Sequence, residues 1–403
     1  MEWNNKISEN VQAVPFSGIR KFFDLASTMK DVISLGVGEP DYAAPDRVID
    51  ACIESLKNKE TSYTSNWGLL ELREEISCLF KKRYGLEYDP MNEIMITVGV
   101  SEAITVVMQT ILNPGDQVLM PDPAYLAYPA CVRLVGGTPV LVPTFSDDEF
   151  RLRVDELEEK LTTKTKALLI GYPNNPTGTV MDRAALEEIA AFAQRHDLIV
   201  ISDEIYCDLT YEGKHTCFAS IPGMKERTLV MNGFSKSYAM TGLRIGYICG
   251  PKEVMQSLYK VHQYEILCAA STSQYGAIAA LKKCDEDVKV MFDEYKVRRK
   301  IVYDALAKMG LKVFKPKGAF YIFPDISCTG MNDEEFCDRL LMEEKVGVVP
   351  GTCFGLQGKN HIRISYAASR ENLTEAMKRM AHFVTKYLSL IHISEPTRRV
   401  VIS

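Results

Sequence analysis

Between Trp67 and Cys284, short apolar runs alternate with amphipathic stretches, the alternation that builds a parallel sheet covered by helices. EIMITVG at 93–99, QVLMP at 117–121, KALLIG at 166–171, LIVISDE at 198–204, TLVMNGF at 228–234 and RIGYICG at 244–250 read as strands. Runs so continuously apolar predict a sheet buried on both faces. Between them, RAALEEIAAFAQRH at 183–196 repeats its apolar residues at helical spacing, and Asp182 stands where an N-cap belongs. After Cys284 the pattern changes to a long charged helix over about 286–309, short strands around 320–323, 347–349 and 362–365, and a closing helix. In that helix Leu373, Met377, Met380, Val384 and Tyr387 fall on one apolar stripe, so it is expected to pack. The pattern predicts an α/β chain with a large domain over 46–284 and a smaller α+β domain over 285–387. Residues 1–45, with the Gly/Pro-rich GVGEP at 36–40, hold too few regular signals for a domain and read as an arm that joins the smaller one.

Composition narrows the function classes. A chain of 403 residues that is 46% hydrophobic has enough apolar material for one large core and a satellite. A net charge of −6 offers no footprint for nucleic acid or an anionic membrane, which points to small-molecule partners. The 11 cysteines are scattered singly, with neither a disulfide framework nor zinc spacing, so a reducing cytoplasm is expected and no metal site. Met1 to Arg20 is too polar for a signal peptide, and no run is long and apolar enough to span a membrane. LSLIHISEPTR at 388–398 resembles the in-frame translation of a transposon-end sequencing adapter, so 388–403 is read as a non-native tail in preference to an ordinary frayed terminus.

The chemistry concentrates in GFSKSYAMTGLRIGY at 233–247, where two strand-like flanks frame a loop lysine and an arginine follows eight residues later. A lysine forms an imine with an aldehyde only when unprotonated, and burial in such a loop favours that state. TVGVSEAI at 97–104 is a strand, a glycine and a helix start, so the amides of Val100 and Ser101 lie at a positive helix end suited to an anion. GVGEPD at 36–41 is not a dinucleotide fingerprint, since Asp41 replaces the third glycine and no strand-turn-helix frames it.

The SKxxAMTGxRxG run, NNPTG at 174–178, SDEIY at 202–206 and HIRISYA at 361–367 together resemble the class I/II aminotransferases of pyridoxal 5′-phosphate (PLP) fold type I, in order over nearly the whole chain. That resemblance implies a mainly parallel seven-stranded sheet flanked by helices plus a smaller α+β domain. It makes Lys236 the Schiff-base lysine, and Asp203, at a strand's carboxyl end, the partner of the pyridine nitrogen. Tyr206 and Asn175 then serve the cofactor's phenolic oxygen, Tyr125 stacks on the ring, and Val100, Ser101, Ser235 and Arg244 take the phosphate. Arg363 and Asn175 grip the substrate carboxylate, Gly38 lies against the substrate, and Tyr63 reaches the phosphate of the neighbouring subunit in a homodimer.

The implied activity is transfer of an amino group between an L-amino acid and a 2-oxo acid such as 2-oxoglutarate. Aspartate-preferring members carry a lysine where this chain has Ser101, which favours apolar, alanine-like or aromatic donors. Two other readings share these residues: a PLP-dependent lyase, either a C–S β-lyase or a cyclopropane-forming synthase, and a non-catalytic sensor domain of a transcription regulator. The sensor reading requires an N-terminal helix-turn-helix, and too few residues precede Gly36 to hold one.

Overall fold

The computed structural model describes residues 1–16, 18 and 29–394. The closing helix, Arg370–Ser394, runs into the adapter-like segment, whose residues 395–398 lie with the rest of the tail outside the described residues.

The strands are β1 (Ile33–Ser34), β2 (Ile94–Thr97), β3 (Gln117–Asp122), β4 (Thr138–Pro143), β5 (Thr165–Gly171), β6 (Ile199–Asp203), β7 (Thr228–Gly233), β8 (Gly246–Cys249), β9 (Tyr321–Ile322), β10 (Val346–Gly347), β11 (Val349–Pro350) and β12 (Ile362–Ser365). β2 to β8 form one seven-stranded sheet in the order β2-β8-β7-β6-β5-β3-β4. Only β8 runs against its neighbours. All six strands expected from the hydrophobic pattern are present. The seventh, β4, was not marked by the pattern, because its TPVLVP carries a proline near each end and lies half-buried at the sheet edge, where proline's missing N–H is tolerated.

Burial on both faces follows from period-two alternation. Leu168, Ile170 and Val200 meet Leu186, Ile189 and Phe192 of the Arg183–Arg195 helix, capped as expected by Asp182, which accepts from the Ala185 amide at 2.9 Å. On the opposite face Leu169, Ile201 and Met231 meet Val107 and Met108 of the Gly99–Ile111 helix and Met255 and Leu258 of the Lys252–Glu265 helix.

Beyond Cys284, β9 and β11 flank β12 in an antiparallel sheet. The expected strand at 347–349 is divided: Val346–Gly347 pairs in parallel with β1, while Val349–Pro350 turns to pair with β12. Leu373, Met377, Met380 and Val384 are buried with Val302, Leu306, Phe336 and Ile364, and Tyr387 packs against them. The N-terminal segment is tied into this layer by the Leu35 amide, which donates to Gly347 O at 2.7 Å, and by Leu35 O, which accepts from the Ser365 amide at 2.7 Å.

Candidate active site

Strand direction places the chemistry. β3, β5, β6 and β7 run in parallel, so Tyr125, Asn175, Asp203 and Lys236, all at or just past their carboxyl ends, meet at one edge of the sheet. β2 lies parallel to β7 across β8 and ends at the same edge, where it feeds the Gly99–Ile111 helix. Because β8 is reversed, the residues before it arrive at that edge too. Arg244, expected within a strand, instead holds a left-handed turn (φ 48°) two residues ahead of β8. A cavity of about 510 Å³ opens here, and every residue expected at the site lines it except Tyr63. Tyr63 is 82% exposed and lies outside the cavity of its own chain.

Lys236 follows β7 and donates from Nζ to Gly38 O at 2.6 Å. Burial pushes its ammonium down from 10.5 to about 8; Glu39 works against that shift, while Arg363 and Arg244 add to it. At pH 7 roughly a tenth of the amine is then unprotonated, far more than for an ordinary lysine, and the neutral amine is the form that reacts with an aldehyde. Asp203 is 5% exposed and, among the described residues, accepts no hydrogen bond from a cation, although the Lys236 charge favours its ionised form. Oδ2 accepts from Tyr128 Oη at 2.8 Å and Oδ1 from the Ile205 amide at 3.1 Å. Burial outweighs those bonds and raises the carboxyl to about 6.

An anion cradle lies at the start of the Gly99–Ile111 helix. Its N-cap, Val98, offers no side-chain oxygen to the first turn. Arg244 donates to Thr241 O at 2.9 Å and stands 3.5 Å from Ser101 Oγ, with Ser235 on the same cavity wall. Gly99 (φ 73°) makes this possible: a Cβ there would come within 3.0 Å of Arg244 Nη2.

On the other side Arg363, 2% exposed, lies between the rings of Tyr321 and Phe354, 4.5 and 4.8 Å from their centroids. It donates to Asn175 Oδ1 at 2.9 Å and to Gly36 O at 2.6 Å. Among the described residues its buried Nε has no partner, and one hydrogen on each Nη remains, a donor set suited to a carboxylate. Tyr206 and Tyr321 share a hydrogen bond between hydroxyls at 2.8 Å. A side chain at Gly38 would meet Tyr321 Oη at 2.9 Å, so the loop approaches closely only as glycine.

Four lining residues with polar side chains escaped sequence reasoning. Tyr128 lies three residues from Tyr125 in the same DPAYLAYP run, and that helical spacing was the available signal. Glu39 and Thr241 lie inside recognised motifs and clasp each other, Thr241 Oγ1 donating to Glu39 Oε2 at 2.7 Å. Tyr321 had only the signature of a buried strand.

The family model for aminotransferase class I and II matches residues 30–380. The chain is similar to a putative aminotransferase of Bacillus subtilis strain 168, with 48% identity over 380 residues, 94% of this chain and 98% of that one. It is also 48% identical over 377 residues to an aspartate aminotransferase of Pyrococcus abyssi, covering 93% and 97% of the two chains. Its fold superposes on the crystal structure of an aromatic aminotransferase from Pyrococcus horikoshii with a TM-score of 0.87 at 45% identity, covering 91% of this chain and 99% of that one.

Proposed function

Because this chain belongs to the class I and II aminotransferases, we propose that it binds PLP through Lys236 and moves an amino group between an apolar, alanine-like or aromatic L-amino acid and a 2-oxo acid such as 2-oxoglutarate. The observation that carries the reading is the meeting of Lys236, held down to about 8, with buried Asp203 in one cavity. The donor set fits the cofactor part by part. The open first-turn amides of Val100 and Ser101, the Ser101 and Ser235 hydroxyls and Arg244 suit a phosphate. Asp203 suits a protonated ring nitrogen, Tyr125 a ring face, and Tyr206 and Asn175 a ring oxygen. When bound, the cofactor supplies an aldehyde and an electron-withdrawing ring that stabilises negative charge at the substrate Cα.

The protein's own residues do the rest. Arg363 and Asn175 hold the substrate α-carboxylate and so fix the direction of its Cα–H bond. Lys236 Nζ, once free, would take the proton from the substrate Cα and deliver it to the carbon that had carried the cofactor's aldehyde oxygen. Tyr128 keeps Asp203 turned to the ring nitrogen through its hydrogen bond. Tyr63, exposed on its own chain, extends to the neighbouring subunit's phosphate in a homodimer.

The cationic side chains lining the cavity, among the described residues, are Lys236, Arg244 and Arg363, each already assigned. None is left for a distal carboxylate, and Ile104 lies one turn beyond Ser101 on the same wall. That supports an apolar donor. A donor series against one fixed 2-oxo acid tests it: kcat/KM for aspartate is expected about tenfold or more below that of the best apolar or aromatic donor, and Ser101→Lys to narrow the gap. A wild-type preference for aspartate would overturn the substrate assignment.

A further inference from the structure

A carboxylate one turn inside a helix is the nearest competitor for the anion site at that helix's start, because it can fold back onto the same amides. Glu102 is in that position. Four residues after the N-cap Val98, it follows directly on Gly99, Val100 and Ser101, whose amides donate to no protein acceptor among the described residues. Both of its oxygens are engaged elsewhere. Oε2 accepts from the Val98 amide, outside the helix, and Oε1 accepts from Nδ1 of His262.

His262 comes from a different element, the Lys252–Glu265 helix, and its side chain is fully buried. Since a carboxylate can only accept, Nδ1 carries the proton. Nε2 is buried without a partner among the described residues, so the ring gives up half of its hydrogen-bonding capacity in this position. The Glu102 contact is the polar interaction it retains. Helix-to-helix packing alone would be served by an apolar residue, as it is by Met255 and Leu258 on the same helix.

We infer that His262 is a positioning residue for the cofactor phosphate: by occupying Glu102 it keeps the first-turn amides open to an anion. The inference rests on the reading of the cavity as a PLP site. Removing the imidazole donor releases one carboxylate oxygen to fall back on the amides of Val100 and Ser101, where it competes with and repels the phosphate. The effect is specific to the phosphate and leaves the ring contacts untouched.

The test compares PLP with pyridoxal, which lacks the phosphate, by equilibrium titration of full-length cofactor-depleted protein, with unliganded thermal melts reporting on the fold. His262→Leu is expected to raise the Kd for PLP about tenfold while changing that for pyridoxal less than about twofold. His262→Asn, whose amide can stand in for Nδ1–H, is expected to restore PLP binding. His262→Gln, with its donor displaced, is expected to behave like leucine and serves as the second variant should leucine fold poorly. In a Glu102→Gln background, where no anion competes, His262→Leu is expected to lose its effect on PLP. Equal weakening of PLP and pyridoxal would overturn the inference in favour of a packing role, and so would unchanged PLP binding. A wild-type protein that binds neither would overturn the PLP reading itself, and this inference with it.

Discussion

Asp203 ends a buried strand and, among the described residues, accepts no hydrogen bond from a cation, so its carboxylate is costly until something positive binds. In the cofactor-free protein its carboxyl is raised from 3.8 to about 6. The unfolded chain therefore ionises first as pH rises, and stability is lost between about pH 4 and 6. Below that window the cost is absent; above it the full cost, roughly 3 kcal/mol for about two pH units, is present. Asp203→Asn is thus expected to stabilise the cofactor-free protein at pH 7 by up to that amount, with the difference vanishing near pH 4, while cutting kcat roughly 10²- to 10³-fold. Urea unfolding across pH together with steady-state rates checks both halves, and a variant less stable at pH 7 yet fully active would contradict them. Motif reading located Asp203 because a carboxylate closing an apolar strand is conspicuous. It missed Tyr128 and Tyr321, since a buried tyrosine in a helix or strand looks the same whether its hydroxyl meets the core or a catalytic group.

At the level of elements, the site depends on a close approach of backbone. Gly99, Gly233 and Gly246 stack where the helix start crosses β7 and β8, and a Cβ on Gly246 would come within 2.9 Å of Gly99 C. Gly99→Ala combines a left-handed residue with a contact against Arg244. It is expected to lower stability by about 1–2 kcal/mol and to weaken PLP binding more than it weakens pyridoxal binding. Thermal melts and paired titrations read both, and unchanged phosphate selectivity would contradict the cradle assignment. The six continuously apolar strands were legible because each run is short and bounded by turn or helix signals, which separates a buried strand from a buried helix. β4 was not, being a half-buried edge with prolines, and the reversal of β8 was not, since direction leaves no trace in composition.

For the whole molecule, Tyr63 is exposed and outside its own cavity, and the homodimer proposed above would give it a role in a second copy. Mixing a Lys236→Ala chain with a Tyr63→Ala chain separates the cases. If Tyr63 serves the partner's site, each mixed dimer contains one doubly altered site and one intact site, and activity rises above that of either parent. Activity that stays at the parents' level would show that Tyr63 does not act across the dimer. Whether Lys236 carries the cofactor is decided by borohydride reduction of the PLP-loaded protein followed by peptide mapping. Bleaching of the cofactor's visible absorbance and a single pyridoxyl-modified lysine at Lys236, within GFSKSYAMTGLR, are expected; modification of a different lysine, or of none, would overturn the assignment of Lys236.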